Sequence, residues 1–254
     1  MNNTLSKKRY YLIDSIRGFA LINMVVFHLL YDLFEIYGLN SGWCFEPLTV
    51  VWERFICVTF ILVSGVAINF SHNAYKRGIM LNLFGFAITA VTFFVMPNEA
   101  VWFGVLNLLG CAMLIMQPLR AYLEHIQPLV GVVVSLAIFA VTYGVPSRFI
   151  GIFGFKLFDL PGEMYSFKWL SFLGFPSADF ASSDFFPLIP WVFMFAVGYF
   201  LWRFIKSINA DKLFTYKIPV LDTIGRYSLW VYIAHQPVIM AVLMLLAQPL
   251  GLTQ

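Results

Sequence analysis

The chain has 254 residues, of which 61% are hydrophobic and only 11% charged, against roughly 45–50% and 25% in an ordinary soluble domain. Such a composition excludes a water-soluble fold, which could not hide that much apolar surface. The formal net charge of +3 would suggest a polyanion partner in a soluble protein, but here the basic residues sit in particular loops, which is a topological signal and argues against nucleic acid.

A bilayer core of about 30 Å needs roughly 20 helical residues. Cutting the chain where charges and Pro/Gly/Asn clusters interrupt apolar runs predicts an all-α integral membrane protein, a bundle of seven transmembrane helices. They fall at about 16–37, 51–70, 78–96, 101–116, 128–144, 186–202 and 227–247, within one transmembrane domain over residues 1–254.

The first run is as long as a full span and ends in acidic and aromatic residues instead of a small-residue cleavage site, so it is expected to stay as a helix. It carries the densest set of ionisable groups, which are expensive inside a bilayer and therefore functional candidates. Asp14, Arg17, His28 and Asp32 are 3, 11 and 4 residues apart and share one narrow helical face. Arg17 and His28 differ by close to three turns, roughly 16 Å of rise, so the guanidinium stays near one membrane surface while the imidazole lies deep. Asp32, one turn on, is expected to accept a hydrogen bond from one His28 nitrogen and leave the other as a proton acceptor, the geometry of a general base. The plainer reading makes His28 an interhelical hydrogen-bonding group and Arg17 a snorkelling residue.

Glu53 and Arg54 begin the second helix. The connection at 145–184 is far longer than is usual between elements, and its aromatic segment 165–175 is expected to lie in the interface or dip toward the bundle. Asp184 reads as the cap of the sixth helix. With Glu53 and Arg54 it would line a polar outer vestibule, to which Tyr165, Lys168 and Asp179 would add. In the last helix His235 follows the interfacial Arg226 by nine residues, so its depth matches that of His28. Pro237 just beyond is expected to kink the helix. For His235 and Gln236, interhelical hydrogen bonding and catalysis compete as readings.

Lys and Arg on alternate sides divide twelve to four. Lys7, Lys8, Arg9, Arg17 and Arg226 belong to the larger set and Arg54, Arg148, Lys156 and Lys168 form the smaller, which places the N-terminus in the cytoplasm and Gln254 outside. Three cysteines, Cys44, Cys57 and Cys111, read as small buried side chains and leave the redox compartment open. Phosphate-binding glycine loops, CxxC pairs and a GxSxG elbow are absent. His28 and Asp32 are too few ligands for a metal, and none is expected. Paired mid-membrane histidines are also compatible with haem.

Arg17-x10-His28, within Ile-Asp-Ser-Ile-Arg-Gly-Phe-Ala-Leu-Ile-Asn-Met-Val-Val-Phe-His-Leu-Leu-Tyr-Asp, resembles the first helix of transmembrane acyltransferases. Further matches are Phe60-Ile-Leu-Val-Ser-Gly65, Phe103-Gly-Val-Leu-Asn-Leu-Leu-Gly110, Asp184-Phe-Phe-Pro-Leu-Ile-Pro-Trp191 and Ile224-Gly-Arg-Tyr-Ser-Leu-Trp-Val-Tyr-Ile-Ala-His-Gln-Pro237. Together they are similar to the heparan-α-glucosaminide N-acetyltransferase catalytic-domain family in its compact bacterial form. The resemblance implies a multi-pass enzyme of the inner (plasma) membrane, with oligomerisation left open. It would move an acetyl or short acyl group from cytoplasmic acetyl-CoA to an acceptor outside, a sugar amine or hydroxyl. By the same resemblance His28 would carry the chemistry, and Arg17, with Asp14 and Arg226, would meet the anionic donor. His235, Gln236, Asp184, Arg54, Glu53 and Asn107 are candidates for touching a substrate or supporting the groups that do. A rival of another class is a transporter or flippase for a polar solute, with His28, Asp32 and His235 as a proton relay. A third is a catalytically silent scaffold.

Overall fold

Apolar runs in a bilayer must satisfy their own backbone, and here they do so as helices. The computed structural model describes residues 9–152 and 155–250; Lys7, Lys8 and Gln254, used in the orientation reading, lie outside that range. Among the described residues seven helices are long and apolar enough to cross a membrane: Tyr11–Ile36, Pro47–Phe70, Ala74–Val95, Val105–Leu123, Pro128–Ser147, Leu188–Ser207 and Ser228–Leu246. Each overlaps an expected span. The α-helices are α1 (Tyr11–Tyr31), α2 (Pro47–Ala67), α3 (Ala74–Val95), α4 (Val105–Leu123), α5 (Pro128–Thr142), α6 (Leu188–Ser207), the short α7 (Leu221–Arg226) and α8 (Ser228–Leu250). The fourth span departs most from expectation. It begins later, because the chain before it is extended and Phe103 takes a positive φ of 55°. It also ends later, because Pro118 is carried inside the helix, as bundled membrane helices tolerate. Similarly, α8 continues through Pro237 to Leu250.

Two compact units result, one from residues 1–63 and 209–254 and the other from 64–208. In the first, α1 packs on α7 and α8. Its inward residues include Ile13, Gly18, Ala20, Leu21 and Met24, while Phe19, Ile22 and Val26 are exposed, which is an apolar surface suited to lipid. The α1–α7 contact is backbone on backbone: a Cβ on Gly18 would stand 2.0 Å from the Leu221 carbonyl oxygen, and one on Gly225 would stand 1.8 Å from that of Asp14. Small residues permit such approaches between membrane helices. Along this unit Arg17 meets Gly225, Asp32 meets Gln236, and Tyr37 packs with Ile239 and Leu243. Contacts therefore advance together along both helices, and the first and seventh spans run parallel.

In the second unit α3 packs on α4 and α5 on α6. The long connection is not featureless. It holds an antiparallel hairpin, β1 (Phe149–Ile152) and β2 (Phe155–Asp159), with Phe149 opposite Asp159. Tight turns at Gly162–Tyr165 and Lys168–Leu173 follow. The Tyr165 hydroxyl donates to the Val145 carbonyl and ties the segment to its own root. Tyr165 and Ser171 are buried, whereas Phe167 and Trp169 are exposed.

Candidate active site

The first unit gathers the polar groups expected to matter. On α1, Arg17 Nη1 donates to Asp14 Oδ1 at 3.1 Å and to the Gly225 carbonyl at 3.4 Å, while Arg9 Nη2 donates to Asp14 Oδ2 at 2.9 Å. The close Gly18–Gly225 crossing makes this reach possible, since a bulkier crossing would hold α7 away. Arg226, at the end of α7, is exposed.

Three turns along α1, the His28 ring faces the His235 ring of α8, with centroids 4.8 Å apart and planes inclined at 58°. The shared depth predicted from spacing is thus a direct contact. His235 Nδ1 lies 2.5 Å from the Tyr232 carbonyl. A carbonyl only accepts, so the neutral ring carries its proton on Nδ1 and presents Nε2 as a lone pair. That buried Nε2 has no hydrogen-bond partner among the described residues.

The Asp32 carboxylate, 0% exposed, accepts from Gln236 Nε2 at 3.0 and 2.9 Å through its two oxygens, a partner on α8 that the spacing along α1 does not announce. A fixed tautomer is seen at His235, where it comes from a backbone carbonyl. Asp32 also opens a single π-helical turn, Asp32–Ile36, closed by the Tyr37 amide donating to the Asp32 carbonyl at 2.9 Å. Such turns are frequent at functional sites.

An aromatic wall stands beside the histidines. Phe27, next to His28, packs on Trp43 and Trp52 with centroids 5.3 and 5.4 Å away, and Trp52 Nε1 donates to Asn23 Oδ1 at 3.0 Å. Glu35 straps the following loop by accepting from the Gly42 and Cys44 amides at 3.0 and 2.9 Å. Burial, and then the Glu35 carboxylate beside it, push the Cys44 thiol up to about 11, so it stays a neutral thiol at physiological pH.

The profile of a family described as heparan-alpha-glucosaminide N-acetyltransferase, catalytic, matches residues 9–237. The chain belongs to that family. It is accordingly a multi-pass membrane protein of an acetyltransferase family, and the match takes in every residue from Arg17 to Gln236 described above. Neither a curated protein nor a solved structure matches the chain.

The remaining candidates of this family member have other surroundings. In the first unit Glu53 pairs with Arg54 at 3.4 Å. In the second, Asp184 does not cap the sixth helix, which starts at Leu188. Its Oδ2 instead accepts from the Val105 amide at 3.4 Å and so caps α4, because the turn before α6 lays the carboxylate against the neighbouring helix start. Asn107 is buried in α4 against Gly85 of α3, with Nδ2 unpartnered among the described residues. Lys168 pairs with Asp179, and that ammonium, with the Ser177 hydroxyl, holds the Asp179 carboxyl down to about 2.

Sequence reasoning missed several residues. Trp43 and Trp52 read only as rings at the outer headgroup level, and Asn23 and Glu35 only as span residues, although an Asn and a Glu inside the first apolar run were a usable signal. Asp222 is buried at 1% exposure, its carboxylate 3.8 Å from Lys217 Nζ, and nothing in its sequence context marks it. Among the described residues no three His, Cys, Asp or Glu side chains converge as a metal site.

Proposed function

We propose that the protein transfers an acetyl group from acetyl-CoA to a sugar amine or hydroxyl across the membrane, and that the His28–His235 pair is the reaction centre. The observation that supports this reading is the meeting of the two imidazoles, one from each end of the family segment, with one nitrogen on His235 held open by the Tyr232 carbonyl.

In the reaction His28 takes the proton of the acceptor nucleophile as the new bond to the acetyl carbon forms. The thioester C–S bond breaks, and the departing coenzyme A thiolate is protonated by the same imidazole or by solvent. His235 supports the pair through its buried Nε2, and the Asp32–Gln236 contact fixes α1 against α8 at that depth. Arg17, anchored by Asp14 and about 16 Å from His28 along the helix, offers a guanidinium to the donor's phosphates, for which its planar fork is suited. With the N-terminus cytoplasmic, by the excess of basic residues on that side, the donor comes from the cytoplasm and the acceptor from outside.

The test uses proteoliposomes, labelled acetyl-CoA and a panel of glycans. Wild type is expected to label an acceptor. His28→Ala is expected to lose about 10²- to 10⁴-fold in rate, the range for removing a general base, while calorimetry still detects acetyl-CoA binding. A wild-type protein that neither binds nor consumes acetyl-CoA would sink the proposal.

A further inference from the structure

A second polar feature lies wholly within the other unit and plays no part in the chemistry above. At the end of α4, the start of α5 and the end of α6 there is a cavity of about 540 Å³ whose lining includes Arg120, Glu124, Tyr199, Trp202, Arg203 and Lys206. Its aromatic lining is deeply packed: Trp202 and Tyr199 are 1% and 2% exposed, and Phe70 packs on Trp202 with centroids 4.9 Å apart.

The cations are arranged, not scattered. Arg203 Nη1 donates to the Leu123 and Ile126 carbonyls at 2.7 and 3.2 Å, and Nη2 donates to the Glu124 carbonyl at 2.8 Å. The guanidinium caps the end of α4 and is thereby fixed at the cavity wall. Arg120 Nε donates to Glu124 Oε1 at 3.0 Å. Lys206 is exposed and has no acidic partner among the described residues. Pro128, the first residue of the 15-residue α5, also lines the cavity, so the positive end of that helix dipole stands there against the negative ends of α4 and α6, the first of which Arg203 covers. Three cations face one carboxylate, and the surplus is positive.

The level of the cavity and its margin favour a lipid. It opens where three membrane-length helices begin or end, the level of phospholipid phosphates. Within two positions of its lining residues in the chain, Leu119, Tyr122, Leu129 and Val130 are 43%, 75%, 44% and 49% exposed. A free anion needs only the charges, whereas acyl chains need an apolar margin. We propose that this cavity binds the phosphate of an anionic phospholipid headgroup, with the acyl chains against those apolar side chains. Basic pockets between transmembrane helices are suited to such headgroups.

The test is a thermal-stability titration of the purified full-length protein in detergent. The probes are short-chain phosphatidylglycerol, short-chain phosphatidylcholine, inorganic phosphate and coenzyme A. The variants are R120Q/K206Q and the single K206E, both of which keep the Arg203 cap. Phosphatidylglycerol is expected to raise the wild-type midpoint saturably, and phosphatidylcholine and phosphate to leave it unchanged. Both variants are expected to need about tenfold more phosphatidylglycerol or worse, in line with the loss of surface cations worth about 1 kcal/mol each. K206E removes the most exposed cation and guards against misfolding of the double variant. Equal response of wild type and both variants, or an equal effect of phosphatidylcholine, overturns the proposal. So does a variant-sensitive shift with inorganic phosphate or coenzyme A but none with phosphatidylglycerol, which would assign the site to a free phosphate.

Discussion

Gln236 shows how much one side chain decides. Its amide nitrogen bonds both oxygens of Asp32, a carboxylate with 0% exposure, and taking a hydrogen bond from a buried acceptor costs more than the bond contributes net. Gln236→Leu, close in volume, is therefore expected to destabilise the protein by about 1–3 kcal/mol, read as a lower denaturation midpoint in detergent. An unchanged midpoint would mean that Asp32 does not depend on this donor. The importance of Asp32 was legible in the sequence, since an acid inside an apolar helix requires a partner. Its partner was not, because Gln236 lies 204 residues away, and helical spacing reports only neighbours on the same helix. The local geometry points to His28 one turn back; the fold adds a donor from a second helix.

At the scale of elements, the contact between α1 and α7 governs where Arg17 sits. Gly225→Ala would drive a methyl group to 1.8 Å from the Asp14 carbonyl oxygen, so α7 must move away and Arg17 must lose its reach to the Gly225 carbonyl. Overpacking of this kind costs about 1–3 kcal/mol or more. A lower thermal midpoint together with weakened acetyl-CoA binding is expected. Gly162→Ala is the control: nothing lies within 4 Å of its Cβ position, so its midpoint should match wild type. If both variants behaved alike, close packing would not be what positions Arg17. The other element-level revision, Asp184 at the start of α4 in place of α6, has a similar cause. An acidic residue before a helix announces a cap, but which helix it caps depends on how the chain turns.

For the whole molecule, the parallel course of α1 and α8 accords with an odd number of crossings. The loop between Val145 and Asp184 carries a pH-dependent contact. The Lys168 ammonium and Ser177 hydroxyl hold Asp179 at about 2, below the ordinary value of about 3.9. The sign follows from linkage: a lowered carboxyl value gives a contribution that is complete above the ordinary value and is lost as pH falls toward about 2. Carboxyl-carbon NMR of labelled aspartate should show Asp179 titrating near that low value in wild type and higher, toward the ordinary one, in Lys168→Met, where the Ser177 hydroxyl remains. Equal titration in both would remove Lys168 as the cause. The aromatic segment at 165–175 was conspicuous by composition, yet its hairpin neighbour was not, because β1 and β2 are only four and five residues long and their pairing is set by the loop's own closure.

By itself the sequence determined the membrane class, the seven spans and the shared face of Asp14, Arg17, His28 and Asp32. These follow from hydrophobicity and helical period, which act over a few turns and need no knowledge of the rest of the chain. Only the tertiary structure decided that His28 meets His235, that Asp32 is held by Gln236 and that Asp184 caps α4. Those are contacts between distant segments, and packing alone selects which helix supplies a partner.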